Sequence, residues 1–125
     1  MSYEKTLFAA VIVLALTLNA DFVYGDPEII AHHNQVVFFL SLVVSLLATV
    51  LKFGERSLLG STLLATSLVA DVQLIGAAAA WGILGFDAEI SPADSVTIVS
   101  LAMGALVANV VSVVLLVIET ASLRR

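Results

Sequence analysis

The chain has 125 residues, of which 61% are hydrophobic and 12% charged, and its net charge is −5. A soluble domain averages about 45–50% apolar and about 25% charged, so the composition excludes an ordinary water-soluble fold, and the acidic balance without a basic patch excludes nucleic-acid binding. The absence of cysteine excludes disulfides, thiol nucleophiles and Cys-based zinc sites.

The apolar excess falls in four segments, roughly residues 6–24, 28–53, 58–84 and 95–119. A spanning helix needs about 20 mostly apolar residues, and the short connections leave no chain for a soluble domain. The expected fold is therefore all-α: a bundle of four transmembrane helices forming a single domain over residues 1–125.

Helix 1 has a clean apolar body from Leu7 to Leu18, with Asn19 and Asp21 marking its outer end and Tyr24 in the aromatic belt. Lys5 before this run resembles the start of a signal peptide. Leu18 would then fill the −3 position of a cleavage after Ala20, a poor site, so the segment reads as a first spanning helix. Gly25-Asp26-Pro27 forms the turn, and helix 2 is expected to begin near Pro27, where a missing N–H costs nothing. Glu28 and His32 then share a face, followed by His33, Asn34 and Gln35. With Asp26 and Glu28 nearby, His32 and His33 form a candidate transition-metal or pH-sensing site, although neighbouring histidines at a water interface are more often simply solvated. Ser41, Ser45 and Thr49 repeat every four residues, a weakly polar stripe suited to helix packing, with a pore lining as the alternative.

Gly54-Glu55-Arg56-Ser57 reads as a tight hairpin, with Ser57 capping helix 3. In that helix Gly60, Ser67 and Asp71 lie near one face, and Thr62, Thr66, Ala70 and Gln73 on the next. Asp71 falls near the middle of the crossing, where an ionisable group costs on the order of 2.5–3.5 kcal/mol on insertion scales and marks a functional site by default. Gly76 and the alanines to Ala80 allow close backbone approach, and Trp81 suits the outer interface. Helix 4 follows Ser91-Pro92, with Asp94 or Ser95 as the expected N-cap. Gly104, Ala108 and Ser112 form a packing ridge, Asn109 sits at a depth not far from Asp71, and Glu119 reads as interfacial, near Arg124 and Lys52.

All five basic residues, Lys5, Lys52, Arg56, Arg124 and Arg125, can be placed on one side. The positive-inside rule then puts both termini in the cytoplasm, and copies inserted one way round would form a parallel, cyclic homo-oligomer. The opposite side carries Asp21, Asp26, Glu28, Asp87, Glu89 and Asp94 with no basic residue to offset them. These acids either keep the outer loops in water or form a vestibule that concentrates cations.

Leu51-Lys52-Phe53-Gly54, Ser57-Leu58-Leu59, Leu63-Leu64-Ala65 and Ser67-Leu68-Val69-Ala70-Asp71 resemble a stretch found in a family of small four-span bacterial inner-membrane proteins. The likeness covers helix 3 and the hairpin before it. It implies a bacterial inner-membrane setting and no particular activity.

Two readings of Asp71 follow. In a dry bundle it would be protonated and hydrogen-bonded to Asn109, Ser67 or Gln73. On a water-filled path, carboxylates repeated by symmetry would form a selectivity ring. The sequence reading favours the second: a cation channel on the oligomer axis, lined by helix 3, with Asp71, Ser67, Gln73 and Asn109 as ion-binding residues. Calcium, magnesium, potassium or sodium could occupy it; no cofactor is otherwise expected. The alternatives are a proton- or ion-coupled transporter using Asp71, and an accessory subunit in which Asp71 pairs with another membrane protein. An enzyme is not expected, because one carboxylate does not make a catalytic site.

Overall fold

The computed structural model describes residues 3–53 and 58–123. They form four α-helices, α1 (Tyr3–Val23), α2 (Gln35–Lys52), α3 (Leu58–Leu84) and α4 (Pro92–Leu123), with a 3-10 turn at Ile30–His32 and no strand among the described residues. Each helix contains a stretch long and apolar enough to cross a membrane: Lys5–Val23, Gln35–Lys52, Gly60–Leu84 and Pro92–Ala121. The shortest, α2, has 18 residues and reaches about 27 Å at 1.5 Å per residue, close to the ~30 Å of a bilayer's hydrocarbon.

The helices close into a ring, α1 packing on α2 and α4, and α3 on α2 and α4. Contacts run in opposite senses along each neighbouring pair. Ser45 meets Asp71 while Lys52 meets Ser67, and Phe22 packs on Phe38 while Val11 and Ile12 pack with Ala48. The bundle is therefore up-down-up-down, as short connections require.

Two helix starts differ from the sequence expectation. α2 begins at Gln35 rather than near Pro27. The Asn34 side chain accepts from the backbone N–H of Val36 and Val37, at 2.8 and 3.2 Å, and so fixes the first turn there. The residues before it form turns and the 3-10 segment, so Glu28 and His32 do not share an α-helical face. α4 begins at Pro92, not Ser95. Ser91 Oγ accepts from the Asp94 N–H at 3.2 Å, and Pro92 occupies the first turn, where its lack of an N–H is harmless. Ser95, one of the two expected caps, is instead fully buried and donates to the Pro27 carbonyl at 2.7 Å, tying the first loop to α4. The loops after α1 and α3 turn on Gly25 and Gly85, whose φ values of 117° and 101° disfavour any other residue. The expected hairpin residues Gly54, Glu55 and Arg56, the Ser57 cap, and Arg124 and Arg125 lie outside the described residues.

At the end of the bundle formed by these two loops, α1, α2 and α3 each supply one ring to an aromatic core. Phe22 lies 4.9 Å from Phe38 and 6.0 Å from Trp81, and Phe38 lies 5.6 Å from Trp81 between ring centres. Between α3 and α4 many of the buried residues are small, Ala70, Ala77, Ala102, Ala105 and Ala108, beside the larger Leu74, Ile98 and Val99. Small side chains let helix backbones approach, which matters in lipid, where apolar burial offers little driving force. α2 displays the resulting partition. Val36, Val43 and Val50 face outward, whereas Ser41, Ser45, Thr49 and Lys52 are buried. Polar groups inside and apolar groups outside is the arrangement expected of a bundle solvated by lipid.

Candidate functional site

Ser45, Thr49 and Lys52 are spaced i, i+4, i+7 and so lie on one face of α2; Ser67 and Asp71 are i, i+4 on α3. The two faces meet. Ser45 Oγ donates to Asp71 Oδ1 at 2.7 Å and Thr49 Oγ1 donates to Asp71 Oδ2 at 2.5 Å, so both carboxylate oxygens are engaged from α2. Lys52 Nζ donates to Ser67 Oγ at 2.5 Å and, across the bundle, to Ser112 Oγ of α4 at 3.3 Å. Ser112 also shares a hydrogen bond with Thr66 Oγ1 at 2.5 Å. Asp71 is 5% exposed and Lys52 only 2%. The two charges interact electrostatically, with Lys52 about 7 Å further along α2 than the Ser45–Thr49 pair that holds Asp71, at 1.5 Å per residue. One carboxylate, one ammonium and five hydroxyls thus form a polar seam of two neighbouring hydrogen-bonded groups, Asp71 with Ser45 and Thr49, and Lys52 with Ser67, Ser112 and Thr66, that joins α2, α3 and α4.

This arrangement redistributes the residues singled out in the sequence. Asp71 does not bond to Asn109, Ser67 or Gln73; its partners come from the α2 stripe, which faces α3 as a packing seam. Ser67 belongs to the cluster but serves Lys52. The polar sector of α3 is split between two neighbours, Ser67 and Asp71 turning to α2, and Thr66 and Gln73 to α4. Asn109 pairs with Asn19 of α1. With the Asn19 amide oriented to suit its surroundings, its nitrogen donates to the Ala102 carbonyl, and its oxygen accepts from the Leu106 N–H and from Asn109 Nδ2, each at 3.0 Å. Asn19 is fully buried rather than marking a helix end. Ser41 Oγ is buried without a partner among the described residues.

Lys52 is the residue that sequence reading placed wrongly. Basic residues near helix ends are normally assigned to water, and the sequence expectation sets Lys52 with the other basic residues at one side and near Glu119, whereas the structure buries it on Ser67 and Ser112. A readable signal existed: Ser41, Ser45, Thr49 and Lys52 continue one stripe, so the lysine stem follows the seam inward. Glu119 is half-buried near the far end of α4.

The histidines are used by the backbone. His33 is buried; its Nδ1 lies 2.6 Å from the Phe22 carbonyl and its Nε2 2.9 Å from the Asp26 carbonyl, bracing the first loop. His32 is exposed, and its Nδ1 accepts from the Asp26 N–H at 3.2 Å. Their ring nitrogens are therefore not presented together to a metal, and among the described residues no group of three or more His, Cys, Asp or Glu could hold one. Asp21, Asp26, Glu28, Asp87 and Glu89 are exposed and Asp94 is partly so, all at the end of the bundle away from Lys52.

On the α4 side, Gln73 lies against Gly104 in an outward-opening groove of about 490 Å³ lined by Ala65, Val69, Val107 and Val111 among others. Its Oε1 is buried with no partner among the described residues, and a methyl on residue 104 would meet the end of its side chain. Gly104→Ala is expected to swing the flexible Gln73 out of the groove and change stability by less than about 1 kcal/mol, since improved helix propensity offsets the displacement. Gly104→Leu, which also fills the groove, is expected to cost about 2 kcal/mol. Detergent-unfolding curves of both variants, alone and with Gln73→Ala, separate these effects.

The chain thus presents four helices long and apolar enough to cross a membrane, with Asp71 and Lys52 both buried between them. The model of a family of unknown function, DUF6394, matches residues 32–120, and the chain belongs to that family. The match takes in α2, α3 and most of α4, and with them every residue of the seam, while α1 lies before it. No curated protein and no solved structure matches the chain.

Proposed function

We propose that this protein is a proton- or cation-coupled transporter whose exchange site is the Asp71 carboxylate, with Lys52 as its internal counter-charge. The observation that carries this reading is the enclosure of Asp71 between α2 and α3, hydrogen-bonded through both oxygens and near a buried ammonium. A carboxylate inside a bundle can exchange one cation for another only if the competing cation is at hand, and Lys52 supplies one on a flexible stem. An axial channel ring would need Asp71 turned toward neighbouring copies, whereas its oxygens turn toward α2 of the same chain. The accessory-subunit reading loses its motive as well, because the lysine that would neutralise Asp71 is already within the protomer.

In this reading the protein sits in the bacterial inner membrane with both termini in the cytoplasm, as the basic-residue bias favours. Lys52 then lies toward the cytoplasmic side and the six acids of the opposite end on the outside, where they would raise local cation concentration.

The test is uptake of sodium or potassium into liposomes holding the purified protein, driven by a pH gradient and followed with an entrapped dye and isotope counting. Wild type is expected to give saturable uptake coupled to proton movement, and Asp71→Asn to reduce it to the level of empty liposomes. Absence of uptake by folded, oriented wild type, or full uptake by Asp71→Asn, would sink the reading.

A further inference from the structure

We infer that Asp71, Ser45 and Thr49 are the oxygen ligands of a single monovalent-cation site, and that the Lys52 ammonium, held beside it by Ser67 and Ser112, is the tethered charge that balances the site when no ion is bound. This deepens the transport reading by naming the class of ion that exchanges at its site.

Three observations carry it. The first is donor chemistry. Every group of the seam other than Lys52 is a carboxylate or hydroxyl oxygen, and the imidazole and thiolate ligands preferred by transition metals are missing from it. Oxygen sets of this kind suit hard cations. The second is charge. Asp71 contributes one negative charge to a seam that is almost wholly withdrawn from solvent, so one positive charge balances it and a divalent ion would leave an excess in a medium of low polarity. The third is the counter-charge. Lys52 Nζ is held by two neutral hydroxyls, Ser67 at 2.5 Å and Ser112 at 3.3 Å, while both Asp71 oxygens are held by Ser45 and Thr49, so the buried ammonium balances the carboxylate from a neighbouring position and leaves the carboxylate itself open to a free ion.

The placement of Lys52 adds a means of release. It is the last residue of α2, so its four-carbon stem can carry the ammonium along the helix end toward the water interface while the backbone stays in place. A free alkali ion would enter as the ammonium leaves. Wild type should therefore bind alkali ions weakly, in competition with its own lysine, and removal of the lysine charge should expose the site.

The experiment is thermal unfolding of purified Lys52→Met and Lys52→Gln in detergent, in sodium, lithium, potassium or choline chloride at equal ionic strength, beside wild type. Methionine keeps an unbranched stem, and glutamine keeps a donor for Ser67 and Ser112. The expected result is a saturable rise in melting temperature with at least one alkali ion over choline for both variants, little or none for wild type, and none for Lys52→Met/Asp71→Asn. Equal melting temperatures in all four salts would overturn the inference. So would failure of both variants to fold in every salt, because the free ion should rescue a site it can occupy. A shift that survives Asp71→Asn would also overturn it, by placing the ion elsewhere. This readout is at equilibrium and needs no flux. Alkali-dependent stability without uptake would retain the ion site and remove the transporter, and uptake without alkali-dependent stability would do the reverse.

Discussion

In choline salts, Lys52→Met is expected to destabilise the bundle by about 3 kcal/mol and Asp71→Asn by a similar amount, while the double variant loses far less than the sum. The argument rests on burial. Each single change leaves one charge withdrawn from water without its counterpart, and a stranded buried charge is more costly than a missing favourable contact. Methionine keeps much of the stem volume of Lys52, so the cavity contribution is small, and asparagine can still accept from Ser45 or Thr49. What remains is the electrostatic coupling between the two positions. The measurement is a double-mutant cycle by reversible unfolding in mixed micelles. Single-variant losses that simply add would mean that the two side chains do not act as a pair. Ser45→Ala and Thr49→Ala provide a scale, each expected to cost about 0.6 kcal/mol, the average for an interhelical hydrogen bond in a membrane protein.

Phe22→Ala is expected to cost about 2 kcal/mol, well above Phe39→Ala. Phe→Ala in a water-soluble core costs about 3–5 kcal/mol, but part of that is transfer from water, which shrinks when the surroundings are lipid. The cavity remains. Phe22 is 1% exposed and its ring touches Phe38, Trp81 and His33, drawing on α1, α2, α3 and the first loop at once. Phe39 contacts Phe38 and Phe86 but is 38% exposed, so its loss leaves little void. Trp81 is the sole tryptophan, so its fluorescence reports this core directly. The Trp81 emission maximum should shift in Phe22→Ala and stay in place in Phe39→Ala. Equal stability losses would show that the aromatic core is not the joint between the loop ends of α1, α2 and α3.

Helix number was legible because hydropathy over twenty-residue windows measures the requirement of the bilayer itself. Helix starts at α2 and α4 were less so. Asn34 and Ser91 each compete with other capping residues nearby, and only the completed turn decides which side chain meets the free N–H groups. The importance of Asp71 was legible from its cost in lipid, but its partners were not. Depth along a helix can be counted in the sequence, whereas rotation about the axis is set by packing. Asn109 matched Asp71 roughly in depth and yet turns to α1, and Gln73 turns to α4. Lys52 fell to a rule that counts charges near helix ends without asking which way their stems run.

The Asn19–Asn109 contact also has a bearing on how the protein is made. Lys52 meets Ser67 across 15 positions of chain, so α2 and α3 can close that part of the seam soon after both have left the ribosome. Asn19 must wait for Ala102, Leu106 and Asn109, which all belong to the last helix. Until α4 arrives, α1 holds a bare amide in the membrane, or lends it to whatever chaperone or insertion machinery will accept it. α1 is thus synthesised and packed on α2 well before its Asn19 is satisfied, and truncation before Ala102 should leave that amide without its α4 partners even though the α1–α2 contact is already made.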